Sequence, residues 1–357
     1  MKVLHYVDEN ILVWMAPWIQ LLKELERRGV QNLVVCRSGG TLSEALHNNH
    51  ISCRAYDPLV QWCPVVARGI GKIILEEKPD IIHTRLSSAA MIGGYWGNKL
   101  GVPVISTFDK YPKAKYYTHS DVLVGCSSAV TAHIKTLNLT QARIIETILN
   151  PVLSDRYTRD EKQRKEFRNA KGVLPNETVV LGMGRFVGWK AWDDYLRAVA
   201  LVPSELPFRF WLVGDGDQEK ELRRLAHDLR IEERVRFYPF ASDVRPWLWA
   251  ADVFVQPSRE PEGFSLMLIE AMASGAVPIA TNIGGTLDIV RDGENGFLFV
   301  PNDVTNLAML IQKTRQGINF PRVIEQAVQS AREVNVAKIA KQTLVLYNKT
   351  LSVWRDC

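Results

Sequence analysis

The chain has 357 residues, 46% of them apolar and 23% charged, which is the ordinary range of soluble globular proteins and a length comfortable for two domains. Its net charge of +5 lies mostly in residues 1–157 (+4, against +1 for the rest), with no concentrated basic stripe, so nucleic acid is not an expected partner. A mildly basic first half suits an anionic partner or an anionic membrane surface as well as it suits plain scatter of surface charge. No apolar run has the length of a bilayer span, and "MKVLHYVDEN" lacks a signal-peptide core. Cys36, Cys53, Cys63, Cys126 and Cys357 are scattered, form no CxxC pair and share no ligand spacing with the seven histidines. A reduced, cytoplasmic protein without structural zinc is expected.

In chain order, "KVLHYV" (2–7) reads as a buried strand, followed by a helical pattern over 18–28 that stops before Gly29. "QNLVVC" (31–36) is a second strand, with a helix near 41–48. "PDIIHT" (79–84) is a third, followed by the small-residue helix "SSAAMIGGYWGNKLG". "VPVISTF" (102–108), "DVLVGC" (121–126) and "RIIETIL" (143–149) continue the series. The polar, proline-bearing stretch 150–177 breaks the rhythm and is the best boundary. A second series follows: "TVVLGMG" (178–184), "FRFWLVG" (208–214), "RVRFYPF" (234–240), "DVFVQPS" (252–258), "AVPIAT" (276–281) and "GFLFV" (296–300). Residues 323–354 read as one terminal helical segment. Strands alternating with helices imply βαβ units and mostly parallel sheets. The boundaries expected are 1–157, 158–336 and a terminal helix over 337–357. Two doubly wound domains leave a cleft between the carboxyl ends of their sheets, so functional residues belong just after the strands.

Those junctions carry chemistry. In "EPEGFSLMLIEAM" (260–272) Glu262 lies in a loop and Glu270 inside the helix that follows, with Ser265 as N-cap and Gly275 as C-cap. Gly263 admits close backbone approach, and the amides of Phe264, Ser265 and Leu266 open a helix start suited to an anion. A carboxylate accepting from two vicinal hydroxyls grips a sugar; equally, Glu262 could be a surface residue and Glu270 the partner of an arginine. "GMGRFVGWK" (182–190) projects Arg185 and Lys190, a fork and a point charge that suit a diphosphate, although ordinary surface charges would look the same. Asp215–Gly216–Asp217 spells DxD, but it follows a strand and precedes a helix, so a turn with Asp217 as N-cap is the stronger reading than a metal site.

Taken in series, "GRFVGWK", "VGDG", "EGFSLMLIEAMASGAVPIAT" and "GGTLDIVRDGENGFLF" resemble the family-4 retaining glycosyltransferases (glycosyl transferases group 1) of the GT-B fold. Glu262 to Glu270 matches the family's E-x7-E signature. The resemblance covers nearly all of residues 150–300 and is weaker before that, where "KPDIIHTR", "GVPVISTF" and "CSSAV" still fit. It implies an α/β fold of two Rossmann-like domains facing across a cleft, the first binding the acceptor and the second the nucleotide sugar, with the terminal helix returning to the first domain. It further implies that Arg185 and Lys190 hold the donor diphosphate, Glu270 the ribose, and Glu262 the donor sugar, with Gly263, Phe264, Ser265 and Leu266 contributing amides and 240–243 meeting the base. No metal and no cofactor are implied, since cations and the helix dipole neutralise the leaving group.

Two departures fall on the acceptor side. The family's glycine pair after the first strand is replaced by "DENILVWMAPW" (8–18), and its histidine by Asp109 in "STFDK". A carboxylate there could orient an acceptor hydroxyl, stabilise a cationic transition state, or merely cap the turn toward Pro112. Asn10, Trp14 and Lys110 are further acceptor-side candidates, and Trp14 and Trp18 with Lys110, Lys113 and Lys115 suit contact with an anionic inner membrane. The expected reaction is retaining transfer of a hexose, from UDP for preference, to a glycan or lipid-linked glycan of a lipopolysaccharide or other cell-surface polysaccharide, at the cytoplasmic face. A nucleotide-sugar 2-epimerase of the same fold, or an inactive homologue serving as a binding partner, is the alternative. A nicotinamide dehydrogenase is disfavoured because no GxGxxG follows "KVLHYV".

Overall fold

A computed structural model describes residues 1–10, 14–60, 62–315 and 320–355. It contains two compact units, Met1–Pro151 with Val334–Cys357, and Val152–Glu333. The first holds a parallel sheet of β1 (Lys2–Val7), β2 (Gln31–Cys36), β3 (Cys53–Ala55), β4 (Ile81–Arg85), β5 (Val104–Phe108), β6 (Val122–Gly125) and β7 (Ile144–Thr147), in the order β3-β2-β1-β4-β5-β6-β7. Between them run α1 (Met15–Arg27), α2 (Gly40–Asn48), α3 (Arg68–Glu77), α4 (Ser87–Leu100) and α5 (Ser128–Thr136). The strands are mostly apolar because helices cover both faces, and β4 and β5 are buried throughout, including the polar His83, Thr84, Arg85, Ser106 and Thr107. The order reverses between β1 and β4, so the loops leaving those two strands diverge and leave a crevice at their carboxyl ends.

The second unit repeats the plan with β8 (Thr178–Met183), β9 (Phe208–Val213), β10 (Val235–Tyr238), β11 (Val253–Gln256), β12 (Val277–Thr281) and β13 (Phe297–Phe299), ordered β10-β9-β8-β11-β12-β13. Its helices are α6 (Glu161–Ala170), α7 (Trp192–Leu201), α8 (Glu219–Asp228), α9 (Arg245–Ala250), α10 (Leu266–Ala273), α11 (Val304–Lys313) and α12 (Phe320–Glu333). One core gathers Trp192, Tyr195, Phe210 and their neighbours, and the Tyr195 hydroxyl is satisfied by the Val180 carbonyl at 2.9 Å. Here the order reverses between β8 and β11, which singles out the loops after Met183 and Gln256. The fold is the α/β GT-B architecture, with thirteen parallel strands described.

Three details differ from the sequence reading. The chain enters the second unit at Val152 rather than after 157, because the polar stretch is not a free linker. Arg159, Arg164 and Arg168 from it hydrogen-bond the carbonyls of Ala251 and Ala250, and Arg164 and Arg168 pair with Asp252. The terminal helical segment is two helices, α12 and α13 (Val336–Arg355), broken at Asn335, whose side chain accepts from the Lys338 amide at 2.9 Å. α12 belongs to the second unit, and α13 packs on α1 in the first. Strand β3 escaped notice because it is three residues long, polar at Arg54 and lies at the sheet edge. Among the described residues no helix is long and apolar enough to cross a membrane.

Candidate active site

In the second unit the loops after β8 and β11 meet. Glu262 Oε1 accepts from Lys190 Nζ at 2.8 Å and from Ser258 Oγ at 2.6 Å. Lys190 also lies 4.7 Å from the Trp189 ring, an electrostatically favourable seat for an ammonium. The Glu262 backbone is fixed too: its carbonyl accepts from Gly285 N at 3.0 Å. Gly284, at φ +58°, passes so close that a Cβ would sit 2.6 Å from that carbonyl, so only glycine fits. Arg185 is exposed, while its carbonyl accepts from Trp192 Nε1 at 2.8 Å, which ties down the backbone there.

Ser265 is the N-cap of α10, its hydroxyl accepting from the Leu268 amide. The amides of Leu266 and Met267 in that first turn have no intrahelical acceptor and open onto the end of the sheet where Glu262 lies. Glu270, further along α10, hydrogen-bonds the Tyr157 hydroxyl. Burial raises its carboxyl above the usual range, against the opposing Tyr157 bond and the Arg156 charge. Arg259 is not free for a ligand, since its guanidinium pairs with Asp193 at 2.7 Å and Asp194 at 2.6 Å.

The Asp215–Gly216–Asp217 turn is a backbone brace. Gly214 and Gly216, at φ +152° and +150°, lie against the loop after β8, and a Cβ on either would come within 2.4 Å of a carbonyl there. Gln218, not Asp217, is the N-cap of α8, because Gln218 N is drawn to the Phe186 carbonyl at 3.1 Å and the helix starts one residue later. Both aspartates are exposed. Among the described residues no group of three His, Cys, Asp or Glu side chains is arranged to hold a metal. In 240–243 Phe240 is exposed and Asp243 is paired with Arg245 at 2.7 Å.

In the first unit Asp109 follows β5. Its Oδ1 accepts from Arg85 Nη1 at 3.3 Å and from Asn150 Nδ2 at 3.1 Å, and Arg85 Nη2 reaches Asn150 Oδ1 at 3.2 Å. Asp109 Oδ2 is buried without a partner. The carboxylate is therefore held by strand ends β4 and β7 and is not the cap of a turn toward Pro112. Trp14 supports this network from below, its ring 4.7 Å from the Arg85 guanidinium. Trp18 is not a loop residue: it is buried within α1 against Trp14 and His5. Asn10 is half-buried, with its carbonyl tied to Leu42 N at 3.0 Å, and Lys110 is exposed. Residues 11–13 of that first loop lie outside the described residues.

Beneath Asp109 sits a pair of buried histidines. His83 bonds the Tyr347 hydroxyl at 2.7 Å and Thr107 Oγ1 at 2.8 Å, and His5 bonds Asn32 at 3.0 Å. A cavity of about 20 Å³ between them has room for about one water. Burial lowers His5 to about 4, with the Arg85 charge adding to it and the Asn32 bond opposing. Burial, His5 and Arg85 together hold His83 well below its ordinary value.

The structure thus brings Lys190 and Glu262 together in one unit and isolates Asp109 with Arg85 and Asn150 in the other. Sequence reasoning missed Arg85, Asn150, Ser258 and Tyr157. The first three sit at or just past strand ends, where the fold rule already pointed; Tyr157 lay in the stretch taken as linker.

Two family models match the chain in succession: "Glycosyltransferase Family 4" over residues 18–156 and "Glycosyl transferases group 1" over 163–328. A lipopolysaccharide core biosynthesis glycosyltransferase (LpsE) of Rhizobium meliloti is 27% identical over 304 residues, 83% of each chain. N-acetyl-alpha-D-glucosaminyl L-malate synthase of Bacillus anthracis is 28% identical over 234 residues, 65% of this chain and 60% of that one. Among solved structures, Anabaena HepE in complex with UDP superposes with a TM-score of 0.84 at 21% identity, over 98% of this chain and all of that one. The lipopolysaccharide outer core galactosyltransferase WaaB gives 0.75 at 17% identity, over 99% of each chain.

Proposed function

The chain belongs to the family-4, group 1 glycosyltransferases of the GT-B fold, and on that premise we propose that it moves a hexose from UDP to a glycan acceptor with retention at the anomeric carbon. The observation that carries this reading is the Lys190–Glu262–Ser258 cluster beside the start of α10. A diphosphate entering there meets Lys190, the reach of Arg185 and the positive end of a helix, which together offset charge without a metal or other cofactor. Glu262 then exchanges Lys190 for hydroxyls of the donor sugar, with Gly263 and the amides of Phe264, Ser265 and Leu266 alongside. Glu270, kept in place by Tyr157, accepts from the ribose hydroxyls, and 240–243 meets the base. The bond from the anomeric carbon to the diphosphate breaks and one to the acceptor oxygen forms. The acceptor's proton passes to the departing diphosphate, and Asp109 steadies the acceptor side.

UDP is favoured because HepE is known in complex with UDP and with UDP-glucose. The R. meliloti relatives support an acceptor in lipopolysaccharide core or a similar surface glycan, reached at the cytoplasmic face of an anionic inner membrane. One assay tests the reading: UDP-hexoses offered with lipopolysaccharide-core acceptors in the presence of EDTA, the product's anomeric configuration being read by proton NMR. Transfer with retention is expected. Inversion, or activity that returns only with manganese, would overturn it.

A further inference from the structure

Arg259 lies just past the end of β11, between Ser258 and Glu262, in a crevice suited to anions, yet its guanidinium is spent on the protein itself. Nη2 donates to Asp193 at 2.7 Å and to Asp194 at 2.6 Å. Nε donates to Asn302 Oδ1 at 2.7 Å and to Asp194 Oδ2 at 3.2 Å. The main-chain amide of Arg259 donates to the Trp189 carbonyl at 2.8 Å. Trp189 immediately precedes Lys190, and Asp193 and Asp194 lie in the first turn of α7 just after it. One residue therefore grips the chain on both sides of the lysine. The Lys190–Glu262 pair at 2.8 Å is a further link between the same two segments, 189–194 and 258–262.

The grip has two features of a device for aiming a side chain. Its fork reaches three side chains from two places, the start of α7 and the turn before α11, which a point charge could not span. It also restrains a segment that is not at ease: between Lys190 and Trp192, Ala191 is buried at φ +55°, a left-handed conformation unfavourable for a residue with a Cβ. Such strain persists only where the surroundings impose it, and it gathers at active sites. We infer that Arg259 is a positioning residue for the proposed transfer: it bolts the loop carrying Glu262 to the segment carrying Lys190 and so sets the spacing into which the donor's diphosphate and sugar fit. It touches neither of them and acts through Lys190 and Glu262. The inference rests on the donor site of the proposed function and adds to it the part that holds that site in register.

The test is a double-mutant cycle read by calorimetry of UDP binding, which needs no turnover. Lys190→Ala should weaken binding by more than tenfold, as in the loss of one charge-assisted contact. Arg259→Gln alone should weaken it by about fivefold or more, within the range of couplings between groups that share contacts, and in the Lys190→Ala background by under about twofold further. Arg259→Lys keeps a charge beside Asp194 but loses the fork; it should fall between the unmodified chain and Arg259→Gln, and it carries the cycle if circular dichroism shows the glutamine variant unfolded. A residue that only stabilises the unit would give losses that multiply, and that result would overturn the inference. So would unaltered affinity in both Arg259 variants while Lys190→Ala binds weakly, with the donor site left standing. Unaltered affinity in Lys190→Ala would overturn the donor site itself, and the inference with it.

Discussion

Asp109 and Glu262 form a matched pair. Each follows a parallel strand, each side chain is 13% exposed, and each spends one oxygen on two donors. The difference lies in what surrounds them. Glu262's partners are a lysine at 2.8 Å and a serine hydroxyl at 2.6 Å, neither of which bonds the other. Asp109's are an arginine and an asparagine that also bond each other, with a tryptophan under the arginine and an unpaired oxygen above. Under the proposed function the first arrangement opens for a ligand, while the second holds one oxygen still. A carboxylate's burial alone says little about its role, and the exchangeability of its donors says more.

The widest test of that contrast concerns the floor under Asp109. His5 titrates near 6.5 in an unfolded chain and about 4 in the folded one, so the folded state takes up its proton later. Stability is then full above pH 6.5 and falls as pH drops toward 4, by about 3 kcal/mol for His5 alone. Urea unfolding of the intact chain at stepped pH should show this loss, and His5→Gln should remove most of it. Glu270 has the opposite sign: its raised carboxyl favours the folded state below its unfolded value and loses that contribution as pH rises. If His5→Gln leaves the acid response unchanged, the rigid-floor half of the comparison fails.

A narrower test removes charge and keeps shape. Asp109→Asn should lower turnover roughly a hundredfold, the scale of a positioned acid–base or electrostatic group, with UDP affinity unchanged. Near-normal turnover would make the Arg85–Asn150–Asp109 network a brace only. The smallest expected effect is on the exchangeable side. Lys190→Ala should weaken UDP binding by more than tenfold in calorimetry, as loss of one charge-assisted contact of roughly 1.5–3 kcal/mol implies. Unaltered affinity would mean the lysine serves Glu262 and not the nucleotide.

What the sequence could show follows the same divide. Strands buried on both faces leave local marks, so twelve of the described strands could be read residue by residue. Glu262 and Glu270 were legible because one loop and one helix carry both. Arg85 and Asn150 were not, since their meeting with Asp109 depends on the strand order β4-β5-β6-β7, which no local pattern encodes. Trp18 was misplaced for a related reason: an aromatic beside a loop looks available until α1 is seen to turn it inward. The break at Asn335 was invisible because both flanking segments have good helical composition, and only the change of unit forces it.

That break has a consequence for how the molecule is made. Residues 152–333 interrupt a body whose last helix, α13, follows the whole of the second unit in chain order. The second sheet can close while its elder neighbour still waits for Ile339, Leu346 and Tyr347, all of them buried in the first core, and for the hydroxyl that His83 requires. Chain order and assembly order are thus reversed: on a growing chain the second unit can be complete while the first, whose strands come earlier, still lacks part of its core.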